Sequence, residues 1–209
     1  MQVEGTPEGE RRAAQEEWDQ RYLAEEHLWS GNPNSQLIQE TRGLRLGRVL
    51  DVGCGEGDDA VWLAEQGWHV TALDVSRVAL DRAAAHATNA RVEVSWVHAG
   101  LVEATLPPAS FDLVSAQYPA LRRTENHQAE HALIDAVKPG GVLLVVHHAH
   151  AGAHGYDLDD YLSPSDIATL LGSEWHIKVN EIRPRHLRSG AGAGAGHTED
   201  IVLSAQRKP

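Results

Sequence analysis

From residue 47 onward the chain alternates short apolar runs with amphipathic ones, and this alternation restricts the fold more than any other feature. "LGRVLDVG" reads as a strand over 47–52. "HVTALDV" reads as a second, ending at Asp74, with "RVEVSWVHA" a third, "SFDLVSAQY" a fourth and "VLLVVHH" a fifth. Helical stretches separate them. One runs from about residue 57 to a stop at Gly67, one from the N-cap Ser76 to about 87, and one over 124–137 before "KPGG". Parallel strands need a crossover, usually a helix. The pattern therefore predicts βαβ units in a mainly parallel sheet with helices on both faces. The fourth and fifth runs are apolar on both faces, as a doubly covered sheet requires. A further helix over 164–171 starts with an N-cap serine and a first-turn proline. "EWHIKVNEIRP" and "TEDIVLSAQR" then follow with no helix between them, which predicts an antiparallel hairpin at one edge. Ahead of the alternation, residues 8–27 read as a polar helix with an apolar seam of Ala14, Trp18, Tyr22 and Leu23. "SGNPN" is a turn, and 35–43 a short helix ended by Gly43.

Composition excludes several function classes. A length of 209 residues suits one domain with a decorated end. Cys54 is the single cysteine, so no intramolecular disulfide forms and a reducing cytoplasm is the expected compartment. Its bland reading is a small buried filler. No apolar run reaches membrane-spanning length, and the first residues have no apolar core like a signal peptide's. A formal net charge of −12 argues against nucleic acid and anionic membrane surfaces as partners. A small-molecule partner is expected, with the chain a monomer or homodimer. "SGAGAGAG", 189–196, reads as a flexible loop or a lid over a pocket.

The loop after the first strand, "LDVGCGEGDD", places three glycines in five positions. In an open parallel sheet the ligand sits at the carboxyl ends of the strands, so Gly53, Gly55 and Gly57 are expected to let backbone pass against it. The spacing is G-x-G-x-G rather than the dinucleotide G-x-G-x-x-G. Glu56, Asp58 and Asp59 would repel a pyrophosphate, and no phosphate-cradling lysine is present. These residues count against a nicotinamide cofactor, the runner-up. An acidic loop suits a ligand with a positive centre. Asp74 ends the second strand where a carboxylate can accept both ribose hydroxyls. A nucleoside with a cationic, amino-acid-like tail satisfies both, and S-adenosyl-L-methionine fits.

"VLDVGCGEG", "VTALDVS", "SFDLVSAQY" and "KPGGVLLVV" resemble, in order, the signatures of the class I S-adenosylmethionine-dependent methyltransferases. The resemblance implies a Rossmann-like seven-stranded sheet of order 3-2-1-4-5-7-6 with strand 7 antiparallel. It implies that Asp51, Gly53, Cys54, Gly55 and Gly57 line the methionine and ribose, that Asp74 binds the ribose hydroxyls and that Val75 lies against adenine. Gly100 stands where many relatives carry an acidic residue for the adenine amine, leaving the Ala99–Leu101 backbone or His98 to supply the contact. Gln117 and Tyr118 follow the fourth strand, facing the site, with Gln117 on the cofactor side. "WDQRYLAEEHLWSGNPN" is similar to the small-molecule branch that includes the tellurite-resistance and thiopurine methyltransferases. That similarity implies an N-terminal helical segment, 1–44, covering the cofactor site of a methyltransferase domain, 45–209. Tyr22 and Trp29 would touch the ligand there, or else simply pack the first helix onto the sheet.

Methyl transfer is an in-line displacement at a carbon bound to sulfonium. A thiol or selenol needs little beyond positioning. A phenol, hydroxamate or amine benefits from a base. "VVHHAHAGAH" sets His147, His148, His150 and His154 at and beyond the fifth strand's carboxyl end, with His148 and His150 the candidate bases. Without supporting cysteines or paired carboxylates, no metal is expected. Tyr118 would orient the acceptor. In the basic group Arg183, Arg185, His186 and Arg188, Arg185 would hold an anionic acceptor. Nucleic-acid methylation lacks its Asn-Pro-Pro-Tyr-type motif, since "AQYP" inverts the order. The expected function is methyl transfer to a small molecule, with thiol, selenol or tellurite-like acceptors first and the hydroxyl or ring nitrogen of an aromatic heterocycle second. A non-catalytic S-adenosylmethionine-binding sensor or scaffold is the alternative.

Overall fold

The structure is a computed structural model that describes residues 7–150, 160–185 and 196–209. Its elements are α1 (Pro7–Ala24), α2 (Ser35–Glu40), β1 (Arg48–Val52), α3 (Asp58–Glu65), β2 (His69–Asp74), α4 (Arg77–Ala90), β3 (Val94–His98), β4 (Phe111–Gln117), α5 (Gln128–Ala136), β5 (Val137–His148), α6 (Pro164–Leu170), β6 (Trp175–Pro184) and β7 (Glu199–Arg207). The strands form one seven-stranded sheet of order β3-β2-β1-β4-β5-β7-β6. β1 to β5 pair in parallel, and β7 runs antiparallel to both β5 and β6. The expected architecture and the antiparallel edge are both present.

Two cores cover the sheet. On one face Leu37, Leu63, Trp68 and Leu80 pack on Val49, Leu113, Leu144 and Val202. On the other, Leu133, Leu162, Ile167 and Trp175 pack on Leu50, Val114, Leu143 and Leu203. Successive residues of β1, β4 and β5 thus serve opposite cores, which explains their unbroken apolar runs.

α2 ends at Glu40 rather than Gly43 and α4 runs on to Ala90, and three further boundaries differ from expectation for a visible reason. α1 ends at Ala24, because Arg82 takes the carbonyls of Tyr22 and Glu25 at 2.8 and 2.9 Å. Leu23 leaves the expected seam and is 69% exposed, while its neighbour Tyr22 turns inward at 2%. α5 begins only at Gln128, because the Thr124 hydroxyl accepts that residue's N–H and His127 adopts a φ of 52°. β5 absorbs "KPGG": Val137 pairs with Phe111, and a register shift follows. Apart from Gly196, the Gly/Ala-rich stretch lies outside the described residues, as do His154, His186 and Arg188. Among the described residues no helix is long and apolar enough to cross a membrane.

Strand order reverses between β1 and β4. In sheets of this order the loops after two such strands diverge, and ligands bind in the crevice between them at the carboxyl edge.

Candidate active site

Asp74 organises the first half of the crevice. One carboxylate oxygen accepts the Gly55 N–H at 2.9 Å and the other the Ser76 N–H at 2.8 Å. The glycine loop and the start of α4 thereby hang on one buried side chain. The three glycines serve three purposes rather than the single one expected. Gly53 is exposed with a φ of +69°, and a Cβ there would make only ordinary contact with Pro119 at 3.9 Å, so its backbone conformation, not crowding, calls for glycine. A Cβ at Gly55 would lie 2.9 Å from both Trp29 Nε1 and Tyr22 Oη. One at Gly57 would strike Ala83 at 2.8 Å. Gly55 therefore admits the N-terminal segment, and Gly57 admits α4.

The loop carboxylates also serve the protein rather than a cationic ligand, which corrects the expectation from charge alone. Glu56 accepts the Leu28 and Trp29 N–H groups through one oxygen, each at 3.0 Å, and pairs with Arg82 through the other. Asp59 accepts the Asn34 N–H at 2.7 Å and its side-chain amide at 2.6 Å. Asp58 accepts from the Gly31 N–H and faces His86. On α1, Asp19 accepts the Ser76 hydroxyl at 2.6 Å and the Val78 N–H at 3.1 Å, adding a second acceptor at the α4 N-terminus. These anchors press residues 19–34 onto the glycine loop. Tyr22 and Trp29 are joined by a 2.9 Å hydrogen bond from the indole N–H to the phenol oxygen, directly over Gly55.

A second group lies beyond β4, β5 and β6 at the same edge. Tyr118 has a φ of 51°, rare for a bulky residue. It donates its hydroxyl proton to Asp200 at 2.9 Å. Asp200 is fully buried at the start of β7 and also accepts from Gln36 of α2 at 3.3 Å. Planar groups stack in sequence: the Arg185 guanidinium sits 4.8 Å from the Tyr118 ring, that ring 4.5 Å from His148, and His148 3.6 Å from His197. His150 stands apart, with its ring bonded to Glu199 at 3.1 Å and its side chain 71% exposed.

The family described as "Methyltransferase domain" matches residues 49–141. A ubiquinone biosynthesis O-methyltransferase of Ralstonia nicotianae is 32% identical over 176 residues, 77% of this chain and 72% of that protein. The chain belongs to the class I S-adenosylmethionine-dependent methyltransferases. An uncharacterized methyltransferase of Mycobacterium tuberculosis is 40% identical over 98 residues, and the chain spans about half of its length (49%). Among solved structures, the N-methyltransferase NodS of Bradyrhizobium japonicum in complex with S-adenosyl-l-homocysteine aligns with a TM-score of 0.71 at 18% identity, covering 94% of this chain and 99% of that one. TehB of Haemophilus influenzae aligns with a TM-score of 0.62 at 14% identity, covering 83% and 62%. Both share the fold.

The crevice of this methyltransferase fits its family's cofactor. Asp51 Oδ2 is buried without a hydrogen-bond partner among the described residues. Burial, then the Asp59 and Asp74 carboxylates, push the Asp51 carboxyl well above its usual range. An orphaned carboxylate two positions from the exposed Gly53 is an arrangement that a ligand ammonium completes. Burial also raises the Asp74 carboxyl against its two backbone hydrogen bonds, and the Tyr22 phenol, which Asp74 raises further. Gln117 donates to Ser115 at 3.0 Å and leaves its amide oxygen buried and unpartnered. Burial, then Asp74 and Asp51, hold Cys54 as a thiol, consistent with filler. The Val75 carbonyl bonds His98 Nε2 at 3.0 Å. At Gly100, the space a Cβ would take is filled by the Glu103 carboxylate, next to Val75. Leu101 is buried in the core.

Sequence reasoning missed Glu103, Gln36, His197 and Asp200. Glu103 lies one turn past the position where the acid was sought. Asp200, second in its strand, reads as a solvent-facing residue until the strand is placed beside β5.

Proposed function

We propose that this methyltransferase transfers a methyl group from S-adenosyl-L-methionine to a small-molecule acceptor held between the N-terminal segment and the Tyr118–Arg185 group. The buried Asp51 Oδ2, unpartnered among the described residues and two positions from the exposed Gly53, carries the reading, because it calls for a ligand cation at the carboxyl edge of β1. Asp51, Gly53 and the Gln117 amide oxygen would hold the amino-acid end, with Cys54, Gly55 and Gly57 shaping the loop beneath it. Asp74 would accept the ribose hydroxyls. Val75, Gly100 and Leu101 would bound the adenine, and Glu103 would accept from its amine in place of the acid absent at 100. Tyr22 and Trp29, fixed over Gly55, would close the site from residues 1–44 and leave residues 45–209 as the catalytic domain.

When bound, the cofactor supplies a methyl group on a positively charged sulfur. The chain's own residues then have three tasks: exclude water, align the acceptor and take its proton if it has one. Tyr22 and Trp29 serve the first. Arg185, Tyr118 and His148 stand where the second and third are needed.

The test is calorimetric binding of S-adenosylhomocysteine, followed by its release from S-adenosylmethionine with a thiol, selenite, tellurite, a hydroxyquinolone and a catechol. Binding with turnover on one acceptor class supports the reading. No cofactor binding overturns it, and binding with silence across the panel favours the sensor.

A further inference from the structure

The hydrogen bond from half-buried Tyr118 to buried Asp200 has a direction with a chemical consequence. Asp200 is an acceptor only, and Tyr118 spends its single proton on it at 2.9 Å. The phenol oxygen can therefore only accept from whatever approaches its other side. Gln36 fixes the second Asp200 oxygen from α2, so the carboxylate cannot rotate away. Tyr118 is held in a left-handed backbone conformation at φ 51°, a strained geometry for a bulky residue that clusters at functional sites. Its neighbour Pro119 lies against Gly53, 3.9 Å from where a Cβ there would stand. The charged and titratable groups around the pair are Arg185, His148 and His197 at the stack and Asp59 from α3.

Resting on the methyltransferase reading above, we propose that Tyr118 and Asp200 form a proton relay, and that the acceptor is a small molecule bearing an O–H or N–H proton rather than a thiolate or tellurite. The acceptor oxygen or nitrogen forms a bond to the methyl carbon as the carbon–sulfur bond breaks, its electron pair remaining on sulfur. The acceptor's proton passes to Tyr118 Oη while the Tyr118 proton passes to Asp200 Oδ1. Asp200 then returns its proton to water through Tyr118 after product leaves. Tyr118 would touch the acceptor. Asp200 acts through Tyr118 and is a positioning residue that also stores the proton. An acceptor ionised in solution has no use for such a pair. This order reverses the expectation from the N-terminal resemblance, which puts thiol-like acceptors first. Burial raises the Asp200 carboxyl against the bonds from Tyr118 and Gln36, in the direction that lets it hold a proton.

The experiment measures proton uptake when 4-nitrophenolate binds the full chain saturated with S-adenosylhomocysteine, by calorimetry in buffers of differing ionisation enthalpy, at a pH where the free probe is ionised. The relay predicts uptake of about one proton per site in the unaltered chain, because a phenolate cannot sit against Tyr118 and an ionised Asp200 without one. Uptake falls to near zero in Asp200→Asn and in Tyr118→Phe. With a catechol or hydroxyquinolone acceptor, kcat falls by roughly 10²- to 10⁴-fold in Asp200→Asn with little change in KM, and the acid limb of its pH profile disappears. S-adenosylhomocysteine affinity in each variant reports folding, and Tyr118→Phe decides alone if Asp200→Asn does not fold. Cofactor binding with no phenolate binding, with no proton uptake, or with uptake unchanged in Tyr118→Phe overturns the relay. Loss of cofactor binding by the unaltered chain overturns the methyltransferase reading instead.

Discussion

The Arg82 guanidinium meets the Glu56 carboxylate at 2.8 Å, and together they fasten the N-terminal segment to the glycine loop. Arg82 also holds the Tyr22 and Glu25 carbonyls, and Glu56 the Leu28 and Trp29 N–H groups. Arg82→Ala leaves Glu56 nearly buried without its cation. The expected result is a loss of roughly 1–3 kcal/mol in unfolding free energy. Cofactor affinity should fall about tenfold as Tyr22 and Trp29 loosen, equivalent to ~1.4 kcal/mol. Denaturant unfolding and calorimetry measure the two separately. Stability loss with unchanged affinity would show that the segment does not cover the ligand.

Asp74→Ala removes the acceptor for two loop N–H groups as well as the proposed ribose contact. The expected effect is a 10²-fold or greater rise in the Kd for S-adenosylhomocysteine, about 3 kcal/mol. Glu103→Gln should cost about tenfold through the adenine end alone, with stability unchanged because Glu103 is exposed. Equal affinity for adenosine-containing and adenine-lacking ligands in the unaltered chain would remove Glu103 from the site.

His148 and His150 separate cleanly. His148 stacks between Tyr118 and His197, whereas His150 bonds exposed Glu199. His148→Ala is expected to lower turnover about tenfold or more with cofactor binding retained. His150→Ala should stay within twofold of the unaltered rate, as expected of an exposed pair. The reverse ranking would place the acceptor outside the stack.

Asp59 makes stability depend on pH. Burial pushes its carboxyl up to about 6, despite two hydrogen bonds from Asn34. The folded state therefore holds a proton that the unfolded chain releases near pH 4. The Asp59 contribution is fully favourable below about pH 4 and is lost as pH rises through about 6, on the order of 1–3 kcal/mol. Asp112 and Asp166, held low by hydrogen bonds despite some burial, act oppositely below about pH 4, whereas Asp51, Asp58, Asp74 and Asp200, raised by burial, add to the decline in the same direction as Asp59. Denaturant unfolding between pH 4 and 6.5 should show declining stability, with a shallower slope in Asp59→Asn. An equal slope in both proteins would assign the dependence elsewhere.

The mainly parallel sheet, its antiparallel edge and the position of the glycine loop were determined by the sequence alone, and the strand order by the resemblance its motifs carry. Apolar period, Ser76 and Ser163 as caps and the glycine loop are signals between near neighbours, and β–α alternation leaves few ways to build the sheet. Asp74 was legible for the same reason, since a strand end followed by a helix cap locates its carboxylate. What each carboxylate does was decided only by tertiary structure. Glu56 reaches residues 28 and 29, Asp59 reaches Asn34, and Asp200 reaches Tyr118 and Gln36. Charge read along the chain suggested a loop awaiting a cation. Folding neutralised most of that loop with backbone N–H groups and Arg82 and left Asp51 Oδ2 without a partner among the described residues. A buried carboxylate needs a donor, and the donor is chosen by which elements the fold brings alongside, not by its neighbours in sequence.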